Sequence, residues 1–257
     1  MLIYHTQDPQ WMADAYVVAK ERGGPAIWID CNGAHDDLHA FVAENELTIE
    51  GVILTHHHVD HIFGLDEVLE QYGVDVGASA RAIELIGEDG HFAGEIAHTL
   101  AEDGAFELAG LQVQAIPTPG HAGGHLSFLV EGTDVFTGDV LFNGTVGGTR
   151  APGHTDLADL QASLGRLLDL DDAVVVHPGH TLATTIGAER ASNPFVRYFR
   201  GEDASLDEPV TAWGNPATLL VWGPDYDGGH KALVRWADGS EDIVGGSKVE
   251  RASTSTT

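Results

Sequence analysis

The heptapeptide THHHVDH, Thr55–His61, constrains this chain more than any other stretch of it. It follows an apolar run, GVILT (Gly51–Thr55), and leads into HIFGLDEVLEQYG (His61–Gly73), where Ile62, Leu65, Val68 and Leu69 recur at helical spacing. Alternate side chains share a face on an extended backbone. His56 and His58 therefore project together from the strand end and can share an ion, while His57 faces away. Asp60 and His61 come where the chain turns into the helix, and can address a second ion beside the first. Imidazole and carboxylate are ordinary ligands of zinc, iron and manganese. A cluster delivered by the end of one strand needs partners delivered by its neighbours.

Three residues meet that requirement. His121 lies in PTPGHAGGH, just past the strand-like LQVQAIPT (Leu111–Thr118). Asp139 closes DVFTGD (Asp134–Asp139), and His180 follows AVVVHPG. Each has glycine beside it, which lets backbone come close and side chains turn inward. The candidate ligands are thus His56, His58, Asp60, His61, His121, Asp139 and His180; spacing alone does not fix which of them share an ion. His57 and His177 read as packing residues. So does His125, with support of a neighbouring ligand as the alternative. His91, His98 and His154 read as loop or surface residues.

The rest of the chain alternates strands and helices. AYVVA (Ala15–Ala19), AIWID (Ala26–Asp30) and HLSFLVE (His125–Glu131) are expected strands. HDDLHAFVAENEL (His35–Leu47) is an expected helix with Leu38, Phe41 and Val42 on one face, and so is TDLADLQASLGRLLDL, capped by Thr155 or Asp156. Such an order suggests central sheets with helices outside. Residues 202–207 read as an acidic linker. Residues 208–251 read as a small β-module, SH3-like, with strands in TLLVWGP, KALVRWADG and EDIVGG, and 252–257 as a disordered tail.

The quoted segments resemble the metallo-β-lactamase superfamily: THHHVDH, TPGH at 118–121, TGD at 137–139 and PGH at 178–180. The further runs GDVLFNGTVGGTRAPG and PGHTLATTIGAERASNPF are similar to the glyoxalase II group and its short bacterial relatives. The resemblance spans roughly residues 1–200. It implies an α/β fold, an αββα sandwich over 1–201, with two divalent metals at one edge, zinc first and iron or manganese also accepted. It implies His56, His58 and His121 on one metal, Asp60, His61 and His180 on the other, and Asp139 bridging. Asp60 is a ligand first and a proton acceptor second. Arg150, in the glycine-rich loop, is a candidate substrate contact.

Two adjacent cations lower the pKa of a shared water toward neutrality and polarise a carbonyl. The expected activity is hydrolysis of a hydroxyacylglutathione-like thioester by a metal-bridging hydroxide. The alternatives are a persulfide dioxygenase with a single iron, a lactonase or polyketide-type thioesterase, and a non-catalytic metal-stabilised binder. A formal charge of −28, with only Lys20, Arg22 and Arg81 as cations in residues 1–140, argues against nucleic acid and anionic membranes as partners. The start, MLIYHTQDPQ, has no apolar signal region, and the single Cys31 suits a reducing compartment, so a cytoplasmic protein is expected. The oligomeric state is not legible.

Overall fold

The structure, a computed structural model, describes residues 1–251; the expected disordered tail, 252–257, lies outside the described residues. One sheet runs in chain order through β1 (Leu2–Gln7), β2 (Asp14–Ala19), β3 (Pro25–Ile29), β4 (Thr48–Ile53), β5 (Val76–Ser79) and β6 (His98–Leu100). Its first two pairings are antiparallel and the other three parallel. Parallel neighbours need crossovers, and these carry the helices. They are α1 (Asp36–Glu44), α2 (Val59–Ile62), α3 (Leu65–Tyr72) and α4 (Ala80–Asp89).

A second six-stranded sheet holds β7 (Ala105–Leu108), β8 (Leu111–Pro117), β9 (Leu126–Val130), β10 (Asp134–Gly138), β13 (Val175–Pro178) and β14 (Thr184–Thr185). Between β10 and β13 come a hairpin, β11 (Leu141–Phe142) with β12 (Thr145–Val146), and α5 (Leu157–Leu168). Helices α6 (Ile186–Ser192) and α7 (Pro194–Phe199) follow. Strand periodicity explains the layering. On β2, Tyr16 and Val18 point into a core shared with Val113, Ala115, Phe128 and Phe136 of the second sheet. Ala15, Val17 and Ala19 point the other way, against Leu38 and Val42 of α1 and Leu65 and Val68 of α3. The second sheet is covered likewise by Leu160, Leu164 and Leu167 of α5. The result is an αββα sandwich.

The helix expected over His61–Gly73 is two helices, α2 and α3, separated at Phe63–Gly64. At the break a Cβ on Gly64 would lie 1.5 Å from Cε1 of His35, so that imidazole can seat there only against a glycine. Asp156, not Thr155, caps α5 by accepting from the Asp159 amide.

After α7 the acidic segment stays against the body: Asp203 and Glu202 accept from Arg197, and Glu202 from Arg200. Five strands then form an antiparallel sheet, where three were expected. They are β15 (Glu208–Ala212), β16 (Asn215–Pro224), β17 (His230–Trp236), β18 (Glu241–Gly245) and β19 (Val249–Arg251), in the order β18-β17-β16-β15-β19. Alternation again assigns two faces. Leu219, Ala232, Val234 and Val244 fill the module's own core. Leu220, Leu233 and Ile243 are buried with α5 and α7. Three such side chains contribute on the order of 5–9 kcal/mol of burial before ordering costs, so the module is packed on the sandwich rather than tethered to it.

Candidate metal centre

The seven nominated side chains converge at one edge of the sandwich. β4 ends at Ile53 and delivers His56 and His58; α2 carries Asp60 and His61. His121 follows β8, Asp139 follows β10, and His180 follows β13. Nδ1 of His58 lies 3.0 Å from Nε2 of His56 and 2.9 Å from Nε2 of His121. Nε2 of His180 lies 3.5 Å from Asp60 Oδ2, and Nε2 of His61 lies 3.8 Å from the same oxygen. Asp139 joins the two groups: Oδ1 is 3.3 Å from His61, while Oδ2 is 3.3 Å from His121 and 3.2 Å from His180.

Glycine makes this spacing possible. A Cβ on Gly179 would come 2.2 Å from Asp139 Oδ1, and one on Gly138, where φ is +44°, would strike His125 Nε2 at 2.5 Å. A side chain at 179 would push the carboxylate off its place, and one at 138 would displace the His125 ring that accepts from the Asp139 amide.

The outward nitrogens of the five rings decide what the inner ones can do. His121 Nδ1 faces the Gly148 carbonyl at 2.9 Å, His180 Nδ1 the Met12 carbonyl at 2.8 Å, and His58 Nε2 the Pro152 carbonyl at 2.8 Å. A carbonyl oxygen only accepts, so each facing nitrogen carries the proton and the inner nitrogen is left as a lone pair. His61 Nδ1 donates to Asp30 Oδ2 at 3.0 Å. His56 Nδ1 meets Thr55 Oγ1 at 3.0 Å, and that hydroxyl in turn donates to Asp30 Oδ2 at 2.7 Å. In the neutral rings five lone pairs and two carboxylates therefore face one another, and Nε2 of His61 and Oδ1 of Asp139 are buried without a hydrogen-bond partner. Lone pairs cannot satisfy lone pairs; a cation can. The donor set fits divalent metal.

Asp30 was not nominated from the sequence, yet it supports both halves of the centre. Its Oδ1 also accepts from the Thr55 amide at 2.8 Å, and its own backbone sits at φ +56°. Such left-handed aspartates are uncommon and cluster where the surroundings dictate the geometry. His125 also serves the site: its Nε2 accepts from the Asp139 amide at 3.1 Å and its ring stacks on His56.

Electrostatics divides the rings. Burial drives His56 and His121 well below their ordinary 6.5 and lowers His58, so these rings stand neutral. Burial opposes charge at His61 and His180 too, but Asp139 leads a set of contacts that outweighs it, and both rise above 6.5. Burial disfavours the charge of Asp139, yet His180 and His61 hold it well below the usual carboxylate range. In the His61–His180 half, a metal competes with protons for the lone pairs.

The remaining nominated residues fall as follows. His57 points away from the seven and is buried near Gly153. His177 packs on Phe136 and donates to Asp134. His91, read as a surface residue, lines a cavity of about 290 Å³ with His58, Val59, Asp60, Asp89 and Pro152. Another cavity of about 290 Å³, walled by Leu100, Phe106 and Leu108, contains none of the seven. Arg150 is committed to the module: it donates to Asp242 at 2.7 Å and lies over the rings of Trp236 and Trp213.

Sequence reasoning missed Tyr226. It sits in the turn between β16 and β17, and its ring stacks on His180 with centroids 4.2 Å apart and planes 14° from parallel. Burial and then the charge of Asp139 raise its phenol, which stays neutral. Lys231 holds this turn down, pairing with Asp225 at 2.9 Å and donating to the Val146 carbonyl at 2.9 Å. A further cluster, His35, His39 and Glu67, also brings ligand-type atoms together. It lacks the support found above, since the other nitrogen of His35 has no acceptor and Glu67 is exposed.

Hydroxyacylglutathione hydrolase GloC of Haemophilus influenzae is 31% identical over 185 residues, 66% of this chain and 87% of that protein. The crystal structure of ETHE1 from Myxococcus xanthus superposes with a TM-score of 0.66 at 29% identity, covering 76% of this chain and 84% of that one. TTHA1623 in a di-iron-bound form gives a TM-score of 0.63 at 32% identity, over 75% of this chain and 99% of that one. The sequence profile of the Metallo-beta-lactamase superfamily matches residues 8–180, a span that ends before the C-terminal module. This chain belongs to the metallo-β-lactamase superfamily, a family mostly of metal-dependent hydrolases, with hydroxyacylglutathione hydrolases among its relatives.

Proposed function

We propose that this protein is a binuclear metal-dependent thioesterase acting on a small acyl thioester. The observation that carries the reading is the set of five imidazoles. Each has its outer nitrogen engaged by an oxygen and its inner nitrogen turned toward Asp139 or a neighbouring ring. His56, His58 and His121 would hold one ion, Asp60, His61 and His180 the other, and Asp139 both. Zinc suits this set, as do iron and manganese. Bound there, two divalent ions supply a water of lowered pKa and a Lewis-acid contact for the acyl carbonyl.

The residues themselves do the rest. Asp30, Thr55, Gly148, Pro152 and Met12 fix the tautomers, so no ring has to reorganise when the ligand lone pairs are needed. Asp60, the more exposed of the two carboxylates, faces the cavity shared by His58 and His91 and can take the proton of the attacking water. A thiolate leaves without needing a strong general acid, which suits a site whose buried rings near His58 are neutral.

Metal analysis of the purified protein, with hydrolysis of S-lactoylglutathione and of an uncharged thioester, tests the reading. Two ions per chain with turnover of either substrate is the expected result. One iron per chain, with oxygen uptake on glutathione persulfide and no thioester turnover, would replace it with a dioxygenase.

A further inference from the structure

The cations are the starting point. Of twelve lysines and arginines, eleven pair with a carboxylate at 3.9 Å or closer. The twelfth, Lys248, lies 5.9 Å from the Trp213 ring centre. Arg150 and Lys231, which come from segments beside the centre, both turn inward to tie the module down. Among the described residues, Lys248 alone lacks a carboxylate partner, and it lies by Trp213; the other cations are already engaged by carboxylates of the chain rather than left to hold the carboxylates of a peptide thiol or the phosphates of a nucleotide thiol. The chain as a whole carries −28.

Aromatic and aliphatic side chains stand beside the His61–His180 half, and the cation nearest them, Lys231, 5.2 Å from the Phe142 and Tyr226 ring centres, is paired with Asp225. Tyr226 stacks on His180, and Phe142 meets both rings edge-on. Phe63, two residues past His61, is 60% exposed and packs edge-on against Trp11, beside the Met12 carbonyl that accepts from His180. Leu182, two residues past His180, is 72% exposed. An exposed apolar side chain thus follows each of the two histidines of this half within two residues. The Tyr226 hydroxyl has no hydrogen-bond partner among the described residues, so it is available as a donor.

Resting on the thioesterase reading above, we propose that the site takes acyl thioesters of an uncharged, largely apolar thiol, with Tyr226 of the C-terminal module as a substrate contact. Water adds its oxygen to the acyl carbon, the C–S bond breaks, and the proton from water ends on the departing thiol. The module thus replaces a cationic grip on the carrier with a neutral phenol and an apolar rim.

The test uses the metal-loaded full chain and one acyl group on three thiols: glutathione, coenzyme A and N-acetylcysteamine. The neutral carrier should give the highest kcat/KM, by about tenfold or more. Raising salt to about 1 M, where charges are screened beyond about 3 Å, should raise kcat/KM for the two anionic carriers only. Tyr226→Ala should lower kcat/KM for the neutral substrate about tenfold with both ions retained, and Tyr226→Phe should isolate the hydroxyl. Equal or better turnover of the glutathione thioester would overturn the proposal. Unchanged kinetics in Tyr226→Ala would do the same.

Calorimetric titration with unreactive thioether analogues of the same three carriers separates the two readings. No turnover of any thioester, with the neutral thioether still bound tightest, removes the thioesterase and keeps the carrier preference. Tightest binding of the glutathione thioether removes the carrier preference whatever the turnover.

Discussion

Replacing Asp30 by asparagine should detach one metal while leaving the fold in place. Asp30 has no contact with either proposed ion. Its Oδ1 accepts the Thr55 amide, and its Oδ2 accepts both the Thr55 hydroxyl and His61 Nδ1. The Thr55 amide cannot rotate, so it claims the single oxygen of asparagine. The new NH2 group then faces His61 Nδ1 at about the 3.0 Å of the present bond. Two donors cannot share that contact. His61 answers by moving its proton to Nε2, the atom that now faces Asp139 at 3.3 Å and Asp60 at 3.8 Å. A protonated nitrogen is no ligand. Loss of a partner of this kind costs about 10–100-fold in metal affinity, or about 1.4–2.7 kcal/mol. The ion held by His61 should bear most of it, because Asp30 reaches His56 only through Thr55. Competition with a chromophoric chelator gives the two stepwise dissociation constants, and circular dichroism checks folding. Two constants within threefold of the parent protein, or selective loss of the His56 ion, would refute the reasoning.

Other predictions follow from single contacts. Gly179→Ala puts a methyl 2.2 Å from Asp139 Oδ1, and a displacement of about 1 Å at the reacting centre costs on the order of 100-fold in rate, so wild-type turnover would contradict the bridging geometry. Lys231→Met leaves Asp225 buried without its partner, and urea unfolding should show a loss of about 3–5 kcal/mol, largely restored in the double variant with Asp225→Asn; a loss below about 1 kcal/mol would count against the buried pair as the module's anchor. His177 is held below its ordinary 6.5 by burial, against the opposing pull of Asp134. The unfolded chain therefore binds its proton first as pH falls, so the contribution of His177 is complete above 6.5 and is lost on acidification. Unfolding free energies of the wild type and His177→Gln should converge between neutral pH and about pH 5; a gap that widens toward acid would reverse the assignment.

Much of the centre was legible because its signals are local. The alternation of a strand assigns His56 and His58 to one side and His57 to the other without reference to the rest of the chain. The glycines beside His121, Asp139 and His180 mark places where backbone comes close, and strand ends are where a sheet gathers side chains. Charge, too, is a property of composition, and it disfavours polyanionic partners before any coordinate is known. The resemblance to the metallo-β-lactamase superfamily added the pairing of ligands, which spacing alone left open.

The tertiary structure decided what depends on remote partners. Asp30 reads as the last residue of a strand; only the pairing of β3 with β4 puts its carboxylate under Thr55 and His61. The pattern from His61 to Gly73 reads as one helix, yet it is interrupted at Phe63–Gly64, where the imidazole of His35, just before α1, fills the space a Cβ on Gly64 would need. β15 and β19 were missed because they are short, and what makes them strands is pairing with remote partners, β15 with β16 and β19 with β15. Arg150, in its glycine-rich loop, reads as a salt-bridge residue or a weak substrate contact, and only the tertiary structure supplies its partner, Asp242, 92 residues away. Tyr226 carries no motif at all. It belongs to the metal centre only because the packing of Leu220, Leu233 and Ile243 brings the module's turn down onto His180, a consequence of buried area that no local pattern encodes.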